Sequence, residues 1–81
     1  MQIKLSKQAI KVLDKMDKAT VSRIIDAISG LSEVPPLGDV KPLKGYNERF
    51  RLRVGTYRVL FTIVDNEVHV SDIGSRGDIY K

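Results

Sequence analysis

Arg49, Arg51 and Arg53 alternate with Phe50, Leu52 and Val54. In an extended strand, residues two apart share a face. Three guanidinium groups therefore line one side of this segment while three apolar side chains turn to the other. The chemistry open to such a row is the binding of anions. Two readings compete. One is a solvated sheet face whose arginines pair with Asp or Glu. The other is a surface built for a polyanion. The row has only Glu48 as an acidic neighbour in sequence, and like charges at this spacing repel, which costs stability unless an anion sits among them.

Arg58 lies in an otherwise apolar stretch beside Tyr57, Val59 and Leu60. Either it sits at a sheet edge with its stem packed and its head in water, or it joins the arginine row across a hairpin. Between Lys41 and Arg58 stand Lys41, Lys44, Arg49, Arg51, Arg53 and Arg58 against Glu48 alone, a surplus of five positive charges beside a net charge of +4 for the chain. The positive charge is thus focused in one segment, which points to nucleic acid or an acidic protein segment as partner. The tail Ser75-Arg76-Gly77-Asp78-Ile79-Tyr80 adds one Arg and one Tyr. It reads as loop decoration unless it closes on the same face. Its Arg-Gly-Asp triplet is a very weak adhesion signal. His69 is the lone histidine and there is no Cys, so neither a metal site nor a thiolate nucleophile is expected. His69 itself reads as a structural or surface residue. There is no Gly-rich phosphate loop and no Ser/His/Asp arrangement, and no cofactor is expected.

The elements that must position these residues divide the chain in two. Gln2 to Leu5 is a short strand. Ser6 caps a helix carrying Ala9, Ile10, Leu13 and Met16. Asp17 caps a second helix whose stripe is Val21, Ile24, Ile25, Ile28 and Leu31, with Gly30 as its stop. Ser32 to Gly45, broken by Pro35-Pro36, Gly38 and Pro42, reads as a loop crossing from helices to sheet. The period then becomes two. Arg49 to Val54, Tyr57 to Val64 and Glu67 to Ile73 are strands joined by turns at Gly55-Thr56 and Asp65-Asn66. The expected fold is α+β in the order β-α-α-β-β-β, a two-helix hairpin on a mainly antiparallel sheet. At 81 residues it is expected to be one domain, 1–81, with a small core. Met1 to Leu5 shows no apolar leader run, and the longest apolar run, Val59 to Val64, is too short to span a membrane. A cytoplasmic protein is expected.

The run Leu43-Lys44-Gly45, then Phe50-Arg51-Leu52-Arg53-Val54-Gly55-Thr56-Tyr57-Arg58-Val59-Leu60-Phe61, resembles the RelE/ParE toxin superfamily. The ending Ile73-Gly74-Ser75-Arg76-Gly77-Asp78-Ile79-Tyr80 and the helical half from Leu5 onward are similar too. The resemblance implies a RelE-like fold and a type II toxin–antitoxin role. It implies a ribosome-dependent mRNA endoribonuclease, or mRNA interferase, that inhibits translation. RelE-type nucleases use two basic residues on one strand, an Arg on the next, and an Arg plus a Tyr near the C-terminus. Arg51 and Arg53, Arg58, and Arg76 and Tyr80 fall on those catalytic positions, a complete set that the gyrase-poisoning branch generally lacks, so the resemblance is to the RelE-like branch. Lys41, Lys44 and Arg49 are assigned to RNA binding.

One departure is chemical. The best-known RelE enzymes carry Lys where this chain has Arg51 and Arg53. Arg stays protonated at any relevant pH, so neither is a general base. In the family's reaction the RNA 2′-OH attacks the adjacent phosphorus and expels the 5′-oxygen, which needs neither metal nor cofactor. Arg58 and Arg76 would stabilise the growing negative charge, Arg51 and Arg53 would orient the backbone, and Tyr80 would stack on a base or move a proton. The implied partners are the ribosome, mRNA and an acidic antitoxin that folds on binding; no membrane partner is implied. Two alternatives stand beside this reading: a ParE-like DNA gyrase poison, and a catalytically inactive RelE-like protein that binds antitoxin only.

Overall fold

Ser6 ends the first strand and begins the first helix. Its hydroxyl accepts a hydrogen bond from the Ala9 backbone N–H at 3.1 Å and donates to the Ser71 carbonyl at 2.7 Å. Its own N–H donates to the Val70 carbonyl at 2.9 Å. One side chain thus caps a helix and ties it to a distant strand. In the computed structural model, which describes residues 2–33, 38–43 and 49–75, the elements run β1 (Gln2–Leu5), α1 (Lys7–Asp14), α2 (Lys18–Ser29), a 3-10 turn (Gly30–Ser32), β2 (Asp39–Pro42), β3 (Arg49–Val54), β4 (Tyr57–Val64) and β5 (Glu67–Ser75). Asp17 caps α2 as expected. Thr20 donates to its carboxylate from the hydroxyl at 2.6 Å and from the backbone N–H at 3.3 Å. These bonds, the hydroxyl's first, hold the Asp17 carboxyl below its ordinary pKa. Gly30 does not take up the left-handed conformation of a helix stop. Its φ is −67°, and the chain runs on into the 3-10 turn.

The five strands form one sheet in the order β1-β5-β4-β3-β2. β1 lies parallel to β5, and the other neighbours are antiparallel. The α+β architecture read from the sequence is therefore the observed one, with one strand more. β2 lies within the segment read as a loop. It is four residues long, mostly exposed and ends in Pro42, so it carries no apolar alternation. Its pairing is supplied by β3, and a proline is tolerated at such an edge.

The core lies between the helices and one sheet face. Ala9, Leu13, Ile24, Ile28 and Leu31 meet Leu52, Val59, Phe61, Val68, Val70 and Ile73. Gly38 has φ of +103°, and a Cβ there would come within 2.9 Å of Leu52 Cδ1, so glycine is required where the chain enters β2. Asp65 and Asn66, with φ of 52° and 63°, make the tight turn between β4 and β5. Among the described residues no helix is long and apolar enough to cross a membrane.

Ser6→Ala removes both the cap and the bond to Ser71. A loss of about 1–2 kcal/mol is expected from urea denaturation. A loss within about 0.5 kcal/mol, as for an ordinary surface change, would show that the tie to β5 adds nothing.

Candidate anion-binding face

Because β3 turns Leu52 and its apolar neighbours to the helices, its arginines lie on the opposite face. Register fixes what stands beside each. Across β4, Arg49 is opposite Thr62, Arg51 opposite Leu60, and Arg53 opposite Arg58. Across β2, Arg51 is opposite Lys41 and Arg53 opposite Asp39. Across β5, Arg58 is opposite Gly74 and Leu60 opposite Asp72. Arg58 is therefore not at a sheet edge. It sits half-buried on the central strand, level with the arginine row. Lys41, Arg49, Arg51, Arg53 and Arg58, all expected to meet the polyanion, share this one face. Lys44, Arg76 and Tyr80, the other expected site residues, lie outside the described residues.

Arg51 is the member of the row most withdrawn from water, with a side chain 13% exposed. Its Nη2 lies 3.9 Å from Asp39 Oδ1, a long and weak ion pair. Its Nη1 is buried with no hydrogen-bond partner among the described residues. A buried donor left unsatisfied costs about 1–3 kcal/mol, and a phosphate oxygen would satisfy it. Arg51→Met keeps the apolar stem and deletes the orphaned nitrogen. Its expected effect is a rise in unfolding free energy of about 1 kcal/mol, read by denaturant titration. A fall would mean that Arg51 holds the sheet together rather than waiting for an anion.

The far corner of the same face differs in character. Glu67 accepts from Lys4 Nζ at 3.2 Å and lies 3.3 Å from His69 Nε2. The Lys4 hydrogen bond, with the Lys4 and His69 charges behind it, holds the Glu67 carboxyl below its ordinary pKa. This corner is charge-balanced, and His69 is part of it. The positive field is thus concentrated over β2, β3 and β4. Asp72, which the sequence reading did not single out, stands half-buried on β5 at the border between the two corners. Among the described residues, no group of three His, Cys, Asp or Glu side chains could hold a metal ion.

Residues 3–80 match the family model described as ParE toxin of type II toxin–antitoxin system, parDE. No curated protein sequence matches the chain. Among solved structures, the archaeal RelE–RelB complex from Pyrococcus horikoshii matches at 27% identity, covering 95% of this chain and 96% of that one, with a TM-score of 0.77. The toxin–antitoxin complex RelBE2 from Mycobacterium tuberculosis matches at 25% identity over 93% of this chain and 96% of that one, with a TM-score of 0.75. The isolated RelE toxin of E. coli shares the fold at 18% identity, with a TM-score of 0.78 over 98% of this chain and 89% of that one. A basic sheet face opposite a two-helix layer, a family match over nearly the whole sequence and these shared folds agree: the chain belongs to the RelE/ParE superfamily and is a toxin of a type II toxin–antitoxin system.

Proposed function

We propose that the chain acts as a single-domain, cytoplasmic, ribosome-dependent mRNA endoribonuclease that inhibits translation. The observation that carries the reading is Arg51: a guanidinium nitrogen buried without a hydrogen bond among the described residues, in a face that also holds Lys41, Arg49, Arg53 and Arg58. A phosphodiester backbone is a ligand that meets such a face with charge and acceptors together. The 2′-oxygen would attack the neighbouring phosphorus and expel the 5′-oxygen, a reaction open to RNA and closed to DNA. Arg58 and Arg76 would stabilise the phosphorane-like charge, Arg51 and Arg53 would hold the backbone, and Lys41, Lys44 and Arg49 would extend the RNA track. Tyr80 would stack on a base or transfer a proton. The ribosome would align the message.

The same face suits an acidic antitoxin that folds as it binds. That partner is supported by the Pyrococcus horikoshii and Mycobacterium tuberculosis toxins, both of which were captured in toxin–antitoxin complexes. The ParE description of the matched family favours a second reading, a DNA gyrase poison acting by protein–protein contact. The experiment is induced expression of the wild type and of Arg58→Ala/Arg76→Ala, with primer extension on a translated reporter mRNA. Cleavage inside translated codons, lost in the double variant, supports the nuclease. Intact mRNA with growth arrest and double-strand DNA breaks supports the gyrase poison. Intact mRNA and normal growth leave only antitoxin binding.

A further inference from the structure

Arg51, Leu60 and Asp72 stand in one row across β3, β4 and β5. Two inter-strand spacings, roughly 10 Å, separate the backbones of the first and last. Leu60 between them is 7% exposed, yet it lies outside the helix-side core. It forms an apolar floor with a long cation on one side and a short carboxylate on the other. Two residues along β4 stands Arg58, and the position opposite it on β5 is Gly74. Gly74 itself carries no side chain, so Arg58 and Asp72 are diagonal neighbours with no β5 side chain directly opposite Arg58. A strand glycine of this kind often marks close approach by a ligand.

Asp72 reaches this face through a register shift. The β4–β5 pairing slips between Leu60 and Phe61, and Ser71 is the extra residue. The bulge is braced twice: the Ser71 hydroxyl donates to the Leu60 carbonyl at 3.3 Å, and the Ser6 hydroxyl donates to the Ser71 carbonyl at 2.7 Å. Without the slip, Asp72 would fall opposite Val59 and point into the core. Bulges commonly re-aim a side chain beside a site. No hydrogen bond or ion pair engages the Asp72 side chain among the described residues, although cations stand on the neighbouring strands.

We infer that Asp72 is the proton acceptor of this site, placed across Leu60 from Arg51 and diagonal to Arg58 to take the proton of an RNA 2′-hydroxyl. The inference rests on the nuclease reading above and fills a gap in it, since guanidinium groups do not accept protons. In the step, the 2′-oxygen forms a bond to the adjacent phosphorus as its proton passes to the Asp72 carboxylate. The bond from phosphorus to the 5′-oxygen breaks, and that oxygen leaves with its electron pair and takes a proton from water. The products are a 2′,3′-cyclic phosphate and a 5′-hydroxyl, with no change of oxidation state.

The test is single-turnover cleavage of a short mRNA on programmed ribosomes by the purified toxin, Asp72→Asn and Asp72→Ala. Both variants are expected to cleave about a hundredfold more slowly, with unfolding midpoints at the wild-type value. Added formate is expected to accelerate Asp72→Ala in proportion to its concentration, a response that a structural role would not give. Wild-type rates in Asp72→Asn overturn the assignment, as does a slow but folded Asp72→Ala that ignores formate. If the wild type itself leaves the mRNA intact, the nuclease reading falls and the role of Asp72 falls with it. Cleavage by the wild type that is indifferent to residue 72 removes only the latter.

Discussion

Replacing Arg58 with Ala is expected to slow single-turnover mRNA cleavage by about a hundredfold or more. The expectation follows from where the side chain stands. Arg58 is half-buried on the middle strand of the sheet, flanked by Arg53 on β3 and by Gly74 on β5. A donor fixed on a central strand needs no reorganisation as charge grows on the phosphate oxygens, which gives it leverage on the transition state. Arg58→Lys should recover only part of the rate, because an ammonium lacks the planar fork that spans two phosphate oxygens. Arg53 offers the contrast within the same face. It is exposed and lies toward the edge, opposite Asp39. Its loss should weaken RNA binding and flatten the salt dependence more than it slows the chemical step. Equal rates for the wild type and Arg58→Ala, at saturating toxin, would take Arg58 out of the chemistry.

Much of this face is legible in the sequence because a strand's period is unambiguous. Three arginines alternating with Phe50, Leu52 and Val54 can lie only on one side, and the structure puts them there. The caps at Ser6 and Asp17 are legible for a similar reason: each precedes an apolar stripe at helical spacing. β2 was not legible. Its residues are mostly exposed, and it exists because β3 offers a free edge, a tertiary cause with no local signature. The apolar stripes of the two helices predict more burial than the fold gives them. Ile10 and Ile25 fit the spacing yet are 45% and 38% exposed, because the sheet covers a narrower arc than the stripe spans. The bulge at Ser71 does leave a trace. Val68, Val70 and Ile73 are the buried residues of β5, and the last is out of phase with the first two. That slip of one residue separates a carboxylate in the core from a carboxylate at the site. Arg76 and Tyr80 enter through the family resemblance and Lys44 through the focused positive charge, none of them through described geometry.

Phe61→Ala is expected to cost about 3–5 kcal/mol, the usual range for deleting a buried ring. Phe61 is 1% exposed and packs among the helix and strand residues of the core. Its ring also stacks on Phe50, directly opposite on β3, with centroids 5.5 Å apart and planes inclined by 24°. Such a pair adds about 0.5–1.5 kcal/mol beyond the area it buries. Small domains hold only about 5–15 kcal/mol in total, so the variant should be largely unfolded in mild urea while the wild type is native. Phe61→Leu keeps most of the volume and should cost less, about 1.5 kcal/mol or under. The position bears on function through the backbone. Phe61 anchors β4 on the helix side at the point where β5 slips register, and the preceding residue, Leu60, presents the opposite face beside Arg51 and Asp72. Phe61→Leu should therefore cleave like the wild type, whereas Phe61→Ala should lose cleavage only as far as it unfolds. Urea titrations monitored by far-ultraviolet circular dichroism, run beside the cleavage assay, decide the matter. A folded Phe61→Ala that has lost activity would show that the core sets the geometry of the arginine face directly, and not merely its stability.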